Sequence, residues 1–145
     1  MKKQDLALAK KRLLSERSLT LSIVKNGEII FENYSRGISG FLRAIEKFGN
    51  KLEGASVADR VVGKAIALLC IYAKVRSVYA ITLSKRAKAA FEKNMVYHEW
   101  DNLVENIMNA NKADKCPFEK LATEISNPRE AYKRLKALQN SLKHG

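Results

Sequence analysis

An α/β fold, three layers deep with a mixed sheet of four to five strands between helices, is what this 145-residue sequence predicts. Three observations carry that expectation. Asn26-Gly27 sits between two β-rich runs, two later apolar runs are each followed or preceded by a helical pattern, and the end of the chain places Pro at two helix starts.

Each element follows from its residues. The first segment, residues 2–17, puts Leu6, Ala9, Leu13 and Leu14 at helical spacing with charge filling the other face. A hairpin comes next: residues 20–25 and 28–33 flank Asn26-Gly27, a dipeptide that accepts the positive φ angles of a type I′ turn. Residues 38–48 carry Phe41, Leu42, Ile45 and Phe48 on one stripe, and Gly49-Asn50 closes the helix. Residues 57–73 are apolar almost all round and read as a central buried helix, with Ser56-Val-Ala-Asp59 as a capping box at its start. Residues 77–83 read as an interior strand, 85–93 as a short polar helix and 96–100 as a further strand. Residues 103–108 fit either a strand or an irregular connection. Two closing helices open at Cys116-Pro117 and Asn127-Pro128, where the missing N–H of proline costs nothing. The order α-β-β-α-β-α-β-α, a hairpin and then two strand–helix crossovers, argues for one mixed sheet covered on both faces. With no repeat, linker or low-complexity stretch, a single domain spanning 1–145 is expected.

Composition narrows the function classes. A hydrophobic fraction of 46% and a charged fraction of 29% are ordinary for a globular chain long enough to bury a core. No apolar run approaches the roughly 18 residues of a membrane span, and the start lacks the apolar core of a signal peptide. Cys70 and Cys116 do not make a disulfide framework, so a reducing, cytoplasmic setting is expected. The net charge is +12, spread as 12 basic against 7 acidic residues over 1–60 and 15 against 8 over the remainder. Local enrichments occur at Lys10-Lys11-Arg12, at Lys85-Arg86-Lys88 and from Arg129 through Lys136. Such a surface attracts phosphates. Tyr132 is the single aromatic residue within these clusters, too little for a stacking platform, so any nucleic-acid binding is expected to be weak and non-specific.

Four residues stand out as candidate chemistry. Cys116-Pro117-Phe118-Glu119 makes Cys116 an N-cap and puts Glu119 at the third helical position, from which it reaches back as in a capping box. A thiol placed among unpaired helix N–H groups is favoured as thiolate, which suits a nucleophile or a redox-sensitive cysteine. Asp59 flanks the start of the apolar helix, and Lys64 is the only charge between Val61 and Ala73. An ammonium there either snorkels to solvent or faces a cleft, and Gly63 beside it permits close approach of backbone or ligand. Cys70, amid Leu68, Leu69 and Ile71, reads as core. His98 and His144 belong to no ligand pattern, and glycine-rich phosphate loops, G-x-S-x-G and H-E-x-x-H are absent from the sequence.

Taken together, Asn26-Gly27, Gly63-Lys64-Ala65-Ile66-Ala67-Leu68-Leu69, Ser77-Val-Tyr-Ala80 and Cys116-Pro117-Phe118-Glu119 resemble a family of small prokaryotic proteins known as a domain of unknown function. Its members carry similar stretches, G-K-A-x-A-L-L, S-V-Y-A and C-P-x-E, and the likeness runs from about Leu19 to Tyr132. The resemblance implies a cytidine deaminase-like fold with an α-β-β-α-β-α-β core. Activity does not travel with it. Zinc deaminases need H-x-E at the start of the helix after the hairpin and P-C-x-x-C after the next strand. Aligned on the predicted elements, those regions read Asp59-Arg-Val-Val-Gly-Lys64 and Leu83-Ser-Lys-Arg-Ala-Lys88, with no zinc ligand set. No metal, no other cofactor and no deaminase activity are therefore expected.

The resemblance implies instead a pocket in the deaminase position rebuilt with Asp59, Lys64, Cys116 and Glu119. The leading expectation is a metal-independent pocket for a small anionic or nucleotide-like ligand. Lys64 would supply charge or act as a base, Asp59 would orient it, and Cys116 would be a nucleophile held by Glu119. The helix N-terminus would add its own attraction for an anion. Two alternatives come from other classes: a basic nucleic-acid-binding module on a catalytically dead fold, and a structural or homo-oligomeric protein with no site.

Overall fold

A computed structural model describes residues 2–107 and 116–144. The elements run α1 (Lys2–Ser15), β1 (Leu21–Lys25), β2 (Glu28–Asn33), α2 (Ser39–Phe48), β3 (Ser56–Val62), α3 (Lys64–Tyr72), β4 (Ser77–Ser84), α4 (Lys85–Lys93), β5 (Tyr97–Val104), α5 (Pro117–Ala122) and α6 (Pro128–His144), with a 3-10 turn at Gly49–Leu52 after α2. The α-β-β-α-β-α-β order implied by the resemblance is the observed order from α1 to β4. The strands form one sheet in the order β2-β1-β3-β4-β5. The pairs β1–β2 and β1–β3 are antiparallel, while β3–β4 and β4–β5 are parallel, so the sheet is mixed.

The expected hairpin forms where the sequence puts it. Asn26 and Gly27 have φ of 53° and 81°, and both of their N–H groups donate to the carboxylate of Asp5 at 3.0 and 2.9 Å. That bond ties α1 to the turn. Among the described helices, α1 covers one face of the sheet, where Leu6, Ala9 and Leu13 bury against Leu19, Val24, Ala58 and Tyr79. The other helices cover the opposite face around α3, whose residues 65–70 are all buried.

One expectation fails. Residues 57–73 are not a single helix: residues 56–62 form β3, in the middle of the sheet, and the helix starts only at Lys64. Most of the run is buried in strand and helix alike, and periodicity does not separate a central strand from a buried helix. Gly63, extended at φ −101°, is the boundary. The capping box at Ser56…Asp59 falls with it. Ser56 lies in the strand and bonds Ser77 of β4, oxygen to oxygen at 2.7 Å.

Two smaller corrections concern β5 and the zinc alignment. The strand read at 96–100 continues through Leu103 to Val104, while Met108 of the ambiguous stretch lies outside the described residues. Because β3 is a strand, the helix after the hairpin is α2, opening at Ser39, and the next strand–helix junction is Val62-Gly63-Lys64-Ala65-Ile66. These replace Asp59–Lys64 and Leu83–Lys88 as the positions to compare with the zinc motifs. Among the described residues, no cluster of three His, Cys, Asp or Glu side chains is gathered as a metal site, and no helix is long and apolar enough to cross a membrane.

Candidate functional site

Helix α3 begins at the carboxyl end of β3, and its first two N–H groups need acceptors, since nothing within the helix supplies them. Glu119 supplies both. Its Oε1 accepts from Lys64 N and its Oε2 from Ala65 N, each at 2.8 Å. The expected capping box within α5 is therefore not the bond that forms: Glu119 caps α3 instead. The geometry demands glycine at 63, because a Cβ there would overlap the Glu119 carboxylate. Burial raises the Glu119 pKa, opposed by the Ala65 and Lys64 N–H bonds and by the charges of Lys64 and Arg86. The anion position at the tip of α3 is thus held by the protein's own carboxylate.

Lys64 and Leu68, one turn apart on α3, form one wall of a cleft of about 240 Å³. Arg86, Ala89, Ala90 and Lys93 of α4 form the facing wall. Arg86 and Lys93 are seven residues apart, hence on one face of α4, and the two alanines between them leave room. Asn94 and Ser126 complete the lining. The pKa of Lys64 is lowered, first by burial, then by Arg86 and further by Lys93, while Glu119 opposes the shift. None of the three cations forms an ion pair with a described residue.

Their neighbours are different. On α4 itself, Lys85 pairs with Glu105 and Lys88 with Glu92. In the other basic clusters, Lys10 lies 3.9 Å from Glu99, Arg12 bonds Glu32 at 2.6 Å, Arg134 lies 3.3 Å from Glu130 and Lys136 3.2 Å from Glu46. A larger concavity, about 890 Å³, lies at the far end of α3, between α2 and α6. Its rim carries both signs, Glu46 and Glu53 against Lys74, Arg129 and Lys136, and Tyr72 stacks on Tyr132 across it at 4.6 Å. A third, about 470 Å³ beside α1, contains the Lys10–Glu99 pair and the Tyr97 hydroxyl that donates to Glu99. Size alone would favour the first of these. Charge decides for the Lys64 cleft, the one of the three lined by cations and no carboxylate.

Of the four residues singled out by sequence, the structure brings Lys64 and Glu119 together, keeps Cys116 beside Glu119 through a backbone bond, and puts neither Asp59 nor Cys116 in the lining of the cleft. Asp59 is buried in β3, and burial pushes its pKa up to about 7 against the N–H groups of Val61 and Arg60 and the charge of Arg60. The charges acting on Lys64 do not include it, so Asp59 does not orient that ammonium. Cys116 is the N-cap of α5 without a side-chain cap bond, and its carbonyl accepts from Glu119 N and Lys120 N. It does not line the cleft. Cys70 is fully buried as expected, and burial raises its pKa well above the ordinary thiol value. His98 packs on Phe91, and its Nδ1 donates to the Val96 carbonyl. The side chain of His144 lies outside the described residues. Arg86 and Lys93 went unselected as site residues, although a cation pair seven apart across two alanines was visible in the sequence.

A crystal structure of a DUF1893 family protein from Thermotoga maritima superposes with a TM-score of 0.83 at 26% identity, covering 92% of this chain and 90% of that one. RibD from Acinetobacter baumannii matches at a TM-score of 0.45 and 18% identity, over 85% of this chain and 36% of its own. A diaminohydroxyphosphoribosylaminopyrimidine deaminase/5-amino-6-(5-phosphoribosylamino)uracil reductase from Thermotoga maritima gives 0.45 at 20% identity, over 84% of this chain and 40% of that one. No curated protein sequence matches. The family profile described as a domain of unknown function, DUF1893, matches residues 9–138, and the chain belongs to that family.

Proposed function

We propose that this protein binds a small phosphorylated molecule in the cleft between α3 and α4, with Lys64, Arg86 and Lys93 receiving the phosphate. The observation that carries the reading is that three cations from two helices line one concavity with no carboxylate in its lining and form no ion pair with a described residue, Glu119 acting on Lys64 and Arg86 only from beyond ion-pair distance, while six other basic side chains on the surface are paired. Uncompensated like charges cost energy by mutual repulsion, and an anion removes that cost. The Arg86 guanidinium offers the paired donors that suit a phosphate, and Ser126 adds a hydroxyl at the rim.

The cleft, about 240 Å³ and open to solvent, seats the phosphate-bearing end of the ligand between α3 and α4. Glu119 acts as a positioning residue, fixing the start of α3 and with it the root of Lys64. Asp59 and Cys116 have no part in this reading.

Backbone amide shifts on titration with inorganic phosphate test it. The expected result is a set of shifts confined to residues around 64, 86, 93 and 126, with affinity falling at least tenfold in the Arg86→Gln/Lys93→Gln double variant. Shifts scattered over α1 and α6 and indifferent to that variant would overturn the reading. Binding of a DNA or RNA oligonucleotide at physiological salt, undiminished in the double variant, would favour the nucleic-acid module instead.

A further inference from the structure

Lys64 has a setting that the phosphate-binding reading does not by itself require. Its backbone is locked by the bond to Glu119, and its neighbour Leu68 packs one turn along the same wall. The ionisable groups facing its amine are Arg86 and Lys93 from α4 and Glu119 from α5. Glu119, whose oxygens accept from the N–H groups of α3, attracts the amine electrostatically but forms no ion pair with it.

We infer that Lys64 is a nucleophilic amine that forms an imine with a short phosphorylated aldehyde or ketone, while Arg86 and Lys93 hold the phosphate. The inference rests on the phosphate-binding reading and deepens it by naming the ligand's second group. A lysine beside other cations and partly withdrawn from water keeps a larger share of neutral amine than an exposed one, and neutral amine is the attacking form. Burial, Arg86 and Lys93 each push Lys64 in that direction.

The step balances without a co-reactant. The Nζ lone pair attacks the carbonyl carbon, and the carbonyl π pair takes up a proton to give a carbinolamine. The nitrogen then expels the hydroxyl as water and a C=N bond replaces C=O. Protonated lysine and aldehyde yield protonated imine and water, with nothing oxidised or reduced. The two walls permit a two-point arrangement, with the phosphate at Arg86 and Lys93 on α4 and the carbonyl at Lys64 on α3.

Glyceraldehyde 3-phosphate and glyceraldehyde are the probes, added to the whole protein and followed by borohydride reduction and peptide mass mapping. The expected result is one dominant reduced adduct, at Lys64, formed at least tenfold faster with the phosphorylated probe and suppressed by excess inorganic phosphate. Lys64→Arg should lose that adduct, while the amide shifts of the unaltered protein on titration with inorganic phosphate report on the phosphate-binding reading separately. Adducts spread over the exposed lysines, with those phosphate shifts intact, would overturn the amine inference and leave the phosphate-binding reading standing. Labelling of Lys64 at equal rates by both probes, unchanged in Arg86→Gln/Lys93→Gln, would overturn both.

Discussion

Gly63 and Glu119 are fitted to each other: 56 positions apart in sequence, they leave no room for a single methyl group between the Gly63 Cα and the Glu119 carboxylate. Since Gly63 has an ordinary extended backbone, with φ −101° and ψ −174°, its lack of a side chain serves the contact and not the conformation. Gly63→Ala should therefore push the carboxylate off the N–H groups of Lys64 and Ala65. Bonds to a charged acceptor contribute about 1.5–3 kcal/mol each, so with two of them lost a destabilisation of roughly 3–6 kcal/mol is expected in urea unfolding. Glu119→Ala should cost a similar amount. In the Glu119→Ala background the alanine at 63 should add little, because the clash has gone; full additivity in that cycle would refute the fit.

Asp59 gives the stability a pH dependence of definite sign. Its folded pKa of about 7 lies above the ordinary value of 3.8. Below about pH 4 the carboxyl is protonated in both states and its contribution is fully present. Between pH 4 and 7 the unfolded chain releases the proton and the folded one retains it, so stability falls as pH rises, and above about 7 the contribution is lost. A shift of this size corresponds to on the order of 4 kcal/mol across that window. Asp59→Asn keeps the shape without the charge, so its stability relative to wild type should rise steadily from pH 4.5 to 8. A difference that stays flat with pH would mean that Asp59 titrates as an exposed carboxyl.

Much of this architecture was legible in the sequence. Asn26-Gly27 dictated the hairpin because two consecutive positive φ angles leave few other residue choices, and the two prolines marked α5 and α6 because only a helix's first turn tolerates them. The β3–α3 boundary was not legible. Val57 to Cys70 is buried nearly throughout, and the same hydrophobic run serves a central strand and a central helix. The partner of Glu119 was hidden for a different reason. A local capping box needs three residues of separation, whereas the bond that forms spans 55, from Lys64 to Glu119, and only the docking of α5 onto α3 creates it. Lys64 was conspicuous as a lone charge in an apolar run. Which cations faced it depended on α4 packing beside α3.

Arg60 shows how β3 secures the opposite face. Its guanidinium donates to the carbonyls of Leu19, Leu13 and Glu16 at 2.6, 3.0 and 2.9 Å, gathering the C-terminal end of α1 and the turn after it. Those carbonyls have no partners within the helix, and a cation there also complements the helix dipole. Arg60→Lys retains the charge but loses the planar fork, and a loss of about 1–2 kcal/mol is expected. Hydrogen exchange should speed up across α1 before α3 is affected. Equal acceleration in both helices would show that the guanidinium is not a local clasp.

The two cysteines should part company under alkylation. Cys70 has no exposed surface, and burial together with the nearby Asp59 charge holds its thiol in the protonated, unreactive form. Cys116 is partly exposed at the turn leading into α5. Iodoacetamide at pH 8 should label Cys116 in the folded protein and spare Cys70, which becomes reactive only when denaturant is added. This labelling also separates the two roles open to Cys116. If it were a nucleophile of the Lys64 cleft, saturating inorganic phosphate would slow its alkylation, and Arg86→Gln/Lys93→Gln would abolish that protection. Because Cys116 does not line the cleft, no protection is expected: its labelling rate should be the same with and without phosphate, and Cys116→Ser should leave the phosphate-induced shifts in place. Clear protection by phosphate would return Cys116 to the site.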